Sequence, residues 1–329
     1  MALLARCFFL STLLFCSTRK LTAFQPVTGG CRRQFLARGS SSAAAANGDT
    51  TLDTTSLVVA VGESFTSDPM KVFIEDTDAY GVVYNGNYLK FYDRALHATR
   101  QTGNTWGDDH VIVAVGNQKF KSSPALGDEY VIHGTLQALE NERQIWDLSM
   151  KSLDGTTVYH VANGVVVAST TDKDWLETMD AFAESPHLMA VTDSFIAYRD
   201  EFDPSMRSHL PVTSVLNHFE RPRSNLFGGP KELRRLQEED GIVVVVSGIK
   251  DLCLLPHGKD SLVGDVLTVK SVYDLRKGGM RTDLYQTLYT SSGQRLAQGI
   301  VTLYTLNKET FRPTAKLPPR LLDRLQGGN

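Results

Sequence analysis

The stretch "EDTDAYGVVYNGNYLKFYDRA", residues 75–95, combines acidic residues, a glycine and an aromatic-rich segment in one short span. Gly81 follows Asp78 closely, and because glycine adopts a positive φ freely, this spacing predicts a tight turn. Apolar residues then recur at helical spacing, which predicts a helix from about 85 to 102 after the short strand "KVFIE". The aromatic residues are interpreted mainly as helix packing: Tyr84, Tyr88, Phe91 and Tyr92.

Four further segments predict strands after this helix: "VIVAVGNQKFK", "EYVIHGTLQALE", "RQIWDLSMKSL" and "TVYHVANGVVVAS". They are rich in β-branched and aromatic residues and are separated by turn sequences such as "LDG", which favours an antiparallel meander. One long helix packed against one antiparallel sheet is an α+β architecture.

The body of the chain contains an internal repeat. At an offset of 127, the segment from Asp76 meets the segment from Asp203, and later blocks follow in the same order at slightly larger offsets. The corresponding features include Leu89 with Leu216, Tyr92 with Phe219, Arg94 with Arg221, "VIVAV" (111–115) with "IVVVV" (242–246), and Gly127 with Gly264. The chain is therefore predicted to hold two copies of one unit of about 120 residues.

This repeat predicts the domain organisation. Residues 1–48 form a presequence, 49–170 the first unit, 171–193 a linker, 194–310 the second unit and 311–329 a C-terminal tail. Within the linker, four apolar residues at helical spacing predict a connecting helix: Trp175, Leu176, Met179 and Phe182.

The quoted stretch, together with "VGNQKFKSSPALGDEY" some 25 residues later, resembles the 4-hydroxybenzoyl-CoA thioesterase family of hotdog-fold acyl thioesterases. That family's pattern is D-x-D-x-x-G-x-V-x-x-x-x-Y, followed by a strand that ends in Lys, Pro and Gly-Asp. The resemblance implies a tandem, or double, hotdog fold. Hotdog units work in pairs around a shared seam, so it also implies a paired arrangement within one chain, with further oligomerisation left open.

The resemblance implies a catalytic role for the second acid of the D-x-D pattern, which is Asp78, as nucleophile or as general base for water. It places the oxyanion donor on the backbone N–H of Asn85, at the positive end of the helix dipole. Gly81 would bring Asp78 beside that amide. The alternative is a purely structural role, in which Asp78 is a helix N-cap and Asp76 is its solvated neighbour.

Further residues are predicted to contact substrate. Tyr84, Asn87 and Tyr88 lie at the helix start, while Lys119, Lys121 and Pro124 resemble the family's pocket-mouth elements, where a lysine meets the phosphates of a pantetheine-bearing carrier. Each has a structural alternative: the tyrosines as packing, Asn87 as a helix-opening polar residue, and the lysines as ordinary edge-strand residues.

The second copy departs from the pattern where the chemistry is expected. Ser205 stands opposite Asp78, Ser208 opposite Gly81 and Pro211 opposite Tyr84. Because Ser205 has no evident His or Asp partner, the second unit is predicted to be a degenerate half that completes the pocket.

Composition limits the other function classes. The 329 residues carry a formal charge of −3, and the first 48 include six basic residues and no acid, so the remainder has 28 basic against 37 acidic side chains. A body with this net charge of −9 is a poor nucleic-acid binder. The sequence contains no phosphate-binding loop and no zinc-ligand spacing, so no metal and no cofactor are expected. Cys253 is interpreted as a core residue.

The N-terminal segment is predicted to be a targeting sequence. The apolar run "CFFLSTLLFC" has the length of a signal-peptide core, and a basic, Ser- and Ala-rich segment without acids follows it. With Phe24 directly after "LTA", this tandem resembles the bipartite presequences of algae with secondary plastids. A plastid protein is predicted, with secretion as the alternative.

Taken together, these features predict an enzyme that hydrolyses a fatty or aromatic acyl thioester of CoA or acyl carrier protein. The alternative from another class is a non-catalytic acyl-CoA-binding module on the same fold. Acyl identity and the choice of carrier stay open at this level.

Overall fold

The computed structural model describes residues 61–78, 81–100, 110–140, 143–169, 189–198, 209–257, 262–314 and 317–327. The predicted presequence and connecting helix lie outside these ranges, as do Ser205 and Ser208.

One long helix and six strands form the first half of the described chain. Two short strands, β1 (Ser64–Thr66) and β2 (Met70–Lys71), precede a 3-10 turn at Ile74–Asp76 and the helix α1 (Asn87–Arg100). The long strands follow: β3 (His110–Phe120), β4 (Glu129–Glu140), β5 (Arg143–Ser152) and β6 (Val158–Ser169). The predicted strand "KVFIE" is thus shorter than expected, because the chain turns before Asp76.

The second half repeats this plan. It begins with β7 (Met189–Ile196), continues through α2 (Val212–Leu226) and α3 (Gly229–Glu238), and adds β8 (Ile242–Leu254), β9 (Val266–Arg276), β10 (Arg281–Tyr289) and β11 (Arg295–Asn307). A short helix, α4 (Pro319–Leu325), follows the last strand.

Two predicted boundaries need correction. Residues 189–193, assigned to the linker, belong to β7, which pairs with β9 along its whole length. The C-terminal tail is part of the second unit, because Leu321 and Leu325 of α4 are buried in the core and the Tyr273 hydroxyl donates to the Leu325 carbonyl over 3.0 Å.

All strands of the described ranges join one antiparallel sheet in the order β1-β4-β5-β6-β3-β8-β11-β10-β9-β7, with β2 beside β4. The two halves meet where β3 pairs with β8, in a register that sets Gln118 opposite Ile249. The resulting layer of helices on a shared sheet is the α+β arrangement that the sequence predicts.

The two long helices bury equivalent faces. In α1 the fully buried apolar residues recur at i, i+1, i+3, i+4, i+7 and i+8: Tyr88, Leu89, Phe91, Tyr92, Ala95 and Leu96. The matching positions of α2 carry Val215, Leu216 and Phe219, and α1 contacts α2 directly. A single core cluster therefore contains side chains of both units. In the described ranges, no helix is long and apolar enough to cross a membrane.

Candidate active site

The chain reverses direction directly after Asp78. The Gly81 N–H donates to the Asp78 carbonyl over 3.0 Å, and the Asp78 N–H donates to the Val82 carbonyl over 2.9 Å. Gly81 has φ of +71°, a left-handed conformation that glycine adopts without a steric penalty. This glycine holds Asp78 in a tight turn with its side chain partly buried.

Asp76 has a structural role that differs from the predicted one. Its carboxylate is fully buried, accepts from the Phe73 N–H over 3.1 Å and lies 3.4 Å from the Lys90 ammonium nitrogen. Its carbonyl accepts from the Tyr84 N–H and the Asn87 amide nitrogen, both over 3.0 Å. Asp76 is therefore not a solvated neighbour of Asp78. Its hydrogen bonds hold the segment that carries Asp78 against the start of α1.

The alternative of Asp78 as a helix N-cap is also wrong. Helix α1 begins at Asn87, well beyond Asp78 in the chain. An N-cap residue bonds the N–H groups two or three residues after it, which Asp78 is too distant in sequence to do. The side chain at the helix start is that of Asn87, which donates to the Asp76 carbonyl, so its helix-opening role is the one that the geometry shows.

Asn85 lies in the turn that leads into α1. The flanking N–H groups are engaged, since Tyr84 donates to Asp76 and Asn87 donates to the Tyr84 carbonyl. Within the described ranges the Asn85 N–H has no acceptor, and its side-chain oxygen is buried without a hydrogen-bond partner. An unengaged N–H beside a helix N-terminus is suited to bind a negatively charged oxygen.

The space around Gly86 is too small for a side chain. A Cβ added there would lie 2.7 Å from Cε1 of Tyr84 and 3.6 Å from Oδ1 of Asn217, which belongs to α2. The missing side chain thus lets the first turn of α1 approach both the Tyr84 ring and the second unit.

Tyr84 and Tyr88 are the predicted binding residues nearest to Asp78. Burial raises the pKa of both phenols well above the ordinary value, and the Asp78 carboxylate adds to the effect at each. Tyr88 is buried, and its hydroxyl lies 3.4 Å from the Ser122 carbonyl. Both rings therefore lie within electrostatic range of Asp78 and remain protonated at neutral pH.

The second unit contributes charges to this region. After burial, the largest contribution to the raised pKa of Tyr84 comes from Glu220, with smaller opposing contributions from Arg223 and Arg221. Arg223 is buried and pairs with Glu220, which is one turn earlier on α2. Nothing in the sequence signalled that Arg223 turns inward.

The three residues predicted at the pocket mouth, Lys119, Lys121 and Pro124, lie at different places in the fold. Pro124 is buried beside the turn, and its carbonyl accepts from the Val83 N–H over 3.0 Å. Lys121 is exposed, with its N–H bonded to the Tyr159 carbonyl. Lys119 is exposed on β3 between Gln118 and Phe120, whose side chains face the helices, so it lies on the opposite face of the sheet.

Two buried polar side chains escaped the sequence analysis. Gln118 on β3 and His160 on β6 are both fully inaccessible to solvent. His160 contacts the rings of Tyr88 and Phe120, with centroid distances of 4.6 and 4.7 Å. The only sequence signal was a polar residue at a core-facing position of a strand, which is weak by itself.

The equivalent region of the second unit is described only from residue 209 onward. Pro211 directly precedes α2, at the position that Tyr84 occupies in the first unit. Across the described ranges, no group of three or more His, Cys, Asp or Glu side chains is arranged to hold a metal ion.

Part of the chain matches a known family. A family model described as "Thioesterase superfamily" matches residues 80–159, the segment that contains α1, β3 to β5 and the start of β6. A search among curated proteins finds no match for the chain.

Several solved structures share the fold. They include a putative oleoyl thioesterase from Lactobacillus plantarum (TM-score 0.55, 9% identity, 74% of this chain and 96% of that chain). A 12:0-ACP thioesterase from Umbellularia californica has a TM-score of 0.51 and 9% identity, covering 74% of this chain and 94% of that chain. An acyl-ACP thioesterase from Bacteroides thetaiotaomicron has a TM-score of 0.50 and 11% identity, with coverages of 73% and 97%.

These matches extend over both units, and at such low identity they establish the fold. The predicted α+β tandem hotdog fold is confirmed. At the level of the superfamily, the match to residues 80–159 also confirms the predicted relationship to hotdog thioesterases and the prediction of a thioester hydrolase. The narrower resemblance to the 4-hydroxybenzoyl-CoA family stays a prediction.

Proposed function

We propose that this protein hydrolyses an acyl thioester of CoA or acyl carrier protein, with Asp78 as the catalytic carboxylate. The observation that carries the proposal is the position of Asp78 on the Gly81 turn, which Asp76 fastens to the start of α1. The superfamily match to residues 80–159 supports the reaction class.

The reaction joins one water to the acyl carbon and releases a thiol. The carbon–sulfur bond breaks, a carbon–oxygen bond forms, and the thiolate takes up one proton. Asp78 acts either as the nucleophile, through an acyl-enzyme anhydride that water then cleaves, or as the general base that deprotonates the attacking water. Both roles need an ionised carboxylate beside the thioester carbonyl.

The Asn85 N–H is the proposed oxyanion donor. Negative charge develops on the carbonyl oxygen in either mechanism, and a pre-oriented N–H at the positive end of α1 stabilises that charge. This role fits the absence of an acceptor for the Asn85 N–H within the described ranges. Gly81 contributes by its conformation, which sets the distance between Asp78 and the helix start.

Tyr84, Tyr88 and Pro124 line the proposed binding region, because they are the predicted residues that the fold brings to the turn. Asn87 acts by orienting the helix start. Lys121, exposed near Tyr159, is the better placed of the two lysines for a carrier phosphate, since Lys119 faces the opposite side of the sheet.

The second unit completes the pocket in this proposal, with Glu220 and Arg223 beside Tyr84 and one working site per chain. The substrate is a fatty or aromatic acyl thioester. Three solved structures of similar fold carry the names of acyl thioesterases, two of them acting on acyl carrier protein. The non-catalytic binding module is not favoured.

Purified protein should be assayed with panels of acyl-CoA and acyl-carrier-protein thioesters, beside Asp78→Asn and Asp78→Ala. Loss of a positioned base or nucleophile is expected to lower kcat by roughly a hundredfold or more at unchanged thermal stability. Asp93→Asn is the matched control, because Asp93 is a partly exposed aspartate on the same helix. Equal activity of wild type and Asp78→Asn, or no turnover of any thioester, would refute the proposal.

We further propose a plastid location, supported by the tandem composition of residues 1–48 and by Phe24 after "LTA". A fluorescent fusion of residues 1–50 expressed in an alga with secondary plastids should enter the plastid, and Phe24→Ala should retain it outside. Secretion of the intact fusion would contradict this location.

A further inference from the structure

Gln118 lies close to the local two-fold axis that relates the two units. The β3–β8 ladder runs from Ala114 opposite Cys253 to Lys119 opposite Gly248, and an axis relating two antiparallel strands passes through the middle of their ladder. The axis therefore crosses β3 between residues 116 and 117. Gln118 is next to this point and lies opposite Ile249.

The Gln118 side chain faces the helices. Its neighbours in register, Ala162 on β6 and Ile249 on β8, both belong to the core cluster that contains α1 and α2. Residues opposite each other in a sheet share a face, so the amide points into the same layer. The amide group is thus placed at the centre of the seam between the units.

Within the part of the chain that the structure describes, neither amide atom of Gln118 has a hydrogen-bond partner, although the side chain is fully buried. Gln286, which is equally buried, is satisfied. Its nitrogen donates to the Phe219 carbonyl and the Ser271 hydroxyl over 3.0 and 3.1 Å, and its oxygen lies 3.4 Å from an Arg223 nitrogen. Because leaving such a group unpaired is costly, Gln118 requires an explanation that Gln286 does not.

His160 adds a second unsatisfied group on the same face. It pairs in register with Phe120, two residues beyond Gln118, so Gln118 and His160 are diagonal neighbours with Cβ atoms roughly 7 Å apart. The Tyr92 hydroxyl lies 2.7 Å from Nδ1 of His160 and 3.3 Å from its carbonyl oxygen. Nε2 has no partner. In one tautomer it is a free donor and in the other a free acceptor.

Tyr88 connects these two groups with the proposed catalytic carboxylate. Its ring lies 4.6 Å from the His160 ring, and its phenol lies within electrostatic range of Asp78. An acyl chain that ran from Asp78 along Tyr88 into the seam would end near His160 and Gln118. Saturated hydrocarbon would leave both groups unpaired, whereas a carbonyl oxygen would accept from the amide nitrogen, and a hydroxyl would also donate to the amide oxygen.

We propose that Gln118 and His160 form a polar subsite in the seam, which selects acyl groups that carry a hydroxyl or oxo oxygen away from the thioester. This inference rests on the proposed thioesterase function and names the substrate class of that site. The amide supplies two donors and one acceptor, so it accommodates either oxygen group.

The test compares decanoyl-CoA with its hydroxyl- and oxo-bearing counterparts, with the oxygen placed at successive carbons along the chain. Wild type is expected to favour at least one oxygenated substrate by about tenfold or more in kcat/KM, the scale of one well-placed hydrogen bond. In Gln118→Leu that preference should vanish through a raised KM for the oxygenated substrate, while decanoyl-CoA turnover is kept. Gln118→Met repeats the test if the leucine variant does not fold.

Thermal stability provides a matched control. Gln118→Leu should keep or raise Tm without ligand, because it removes an unpaired polar group, whereas Gln286→Leu should lower Tm because it breaks three contacts. A Gln118→Leu variant that loses stability and keeps the substrate preference would show that the amide binds a structural water, which overturns the proposal. Equal kcat/KM of wild type for all substrates would overturn it as well.

Failure of the subsite and failure of the thioesterase function give different results. If no thioester is hydrolysed, the function fails, and the subsite is judged by thermal stabilisation with hydroxydecanoate against decanoate. Selective stabilisation by hydroxydecanoate that is absent in Gln118→Leu supports the subsite by itself. Stabilisation by both acids, or by neither, refutes it.

Discussion

The Asp76 carboxylate lies 3.4 Å from the Lys90 ammonium nitrogen, two residues before the carboxylate to which we assign the chemistry. The two aspartates therefore differ in what their removal should change. Asp76→Asn keeps the shape of the side chain but weakens a buried ion pair, so we expect a loss of about 1–3 kcal/mol in the free energy of unfolding. The lower part of this range reflects Lys90, which is one third exposed.

Urea unfolding of Asp76→Asn measures this loss, and Asp93→Asn, at a partly exposed position of α1, should stay within about 0.5 kcal/mol of wild type. Turnover of the folded Asp76→Asn fraction should be retained in large part. A variant with full stability and no turnover would mean that Asp76, rather than Asp78, performs the chemistry.

The sequence predicted the turn and the helix of this site, because both depend on residues that are neighbours in the chain. Helical spacing identified the buried face of α1, and Gly81 indicated a left-handed turn that the structure contains. The structural role of Asp76 depends on its ion pair with Lys90, which lies further along the chain on α1. The sequence around the two aspartates therefore did not distinguish Asp76 from Asp78.

The residues that sequence analysis missed are those whose environment is set by strand register. Gln118 reads as one polar residue in a strand, and only the β3–β8 pairing places it beside the symmetry axis, opposite Ile249. His160 likewise lies among aromatic rings that come from α1 and β3. Such pairings join segments distant in the chain, and their register cannot be read from either segment alone.

Gly81→Ala should lower both stability and turnover. Alanine at φ of +71° is strained by about 1 kcal/mol, while the added methyl group meets no atom within 4 Å. Gly155, in the turn between β5 and β6, has φ of +69° and equally open space, so Gly155→Ala imposes the same strain away from Asp78. We expect similar losses in Tm for both variants and a reduced kcat for Gly81→Ala alone. Equal kcat values would separate the turn from catalysis.

The buried imidazole of His160 should make the protein sensitive to acid. Burial lowers the pKa of His160 to about 3, compared with about 6.5 in an unfolded chain. Between these values the unfolded state binds the proton and the folded state does not, so acidification favours unfolding. The contribution is fully retained above about pH 6.5 and declines as the pH falls towards 3, with a limiting slope of about 1.4 kcal/mol per pH unit.

Urea unfolding of His160→Phe across this pH window should show a shallower pH dependence than wild type, even if its stability at pH 7 is lower. His97→Gln, at a partly exposed position of α1, is the control and should keep the wild-type slope. Identical slopes for His160→Phe and wild type would mean that another group governs the acid response.

Separation of the units should convert the intramolecular seam into an intermolecular one. A chain that ends after residue 170 keeps β3 but loses β8, which leaves the edge of β3 unpaired. Because the symmetry axis crosses β3 between residues 116 and 117, two copies of this fragment can pair through β3 in the register that β8 now occupies, with Gln118 of each copy opposite Val115 of the other. We therefore expect a dimer by size-exclusion chromatography with light scattering. Gln118→Lys in the same fragment buries a like charge from each copy close to the axis and should prevent dimerisation. A folded, soluble monomer of the unmodified fragment would contradict this account of the seam.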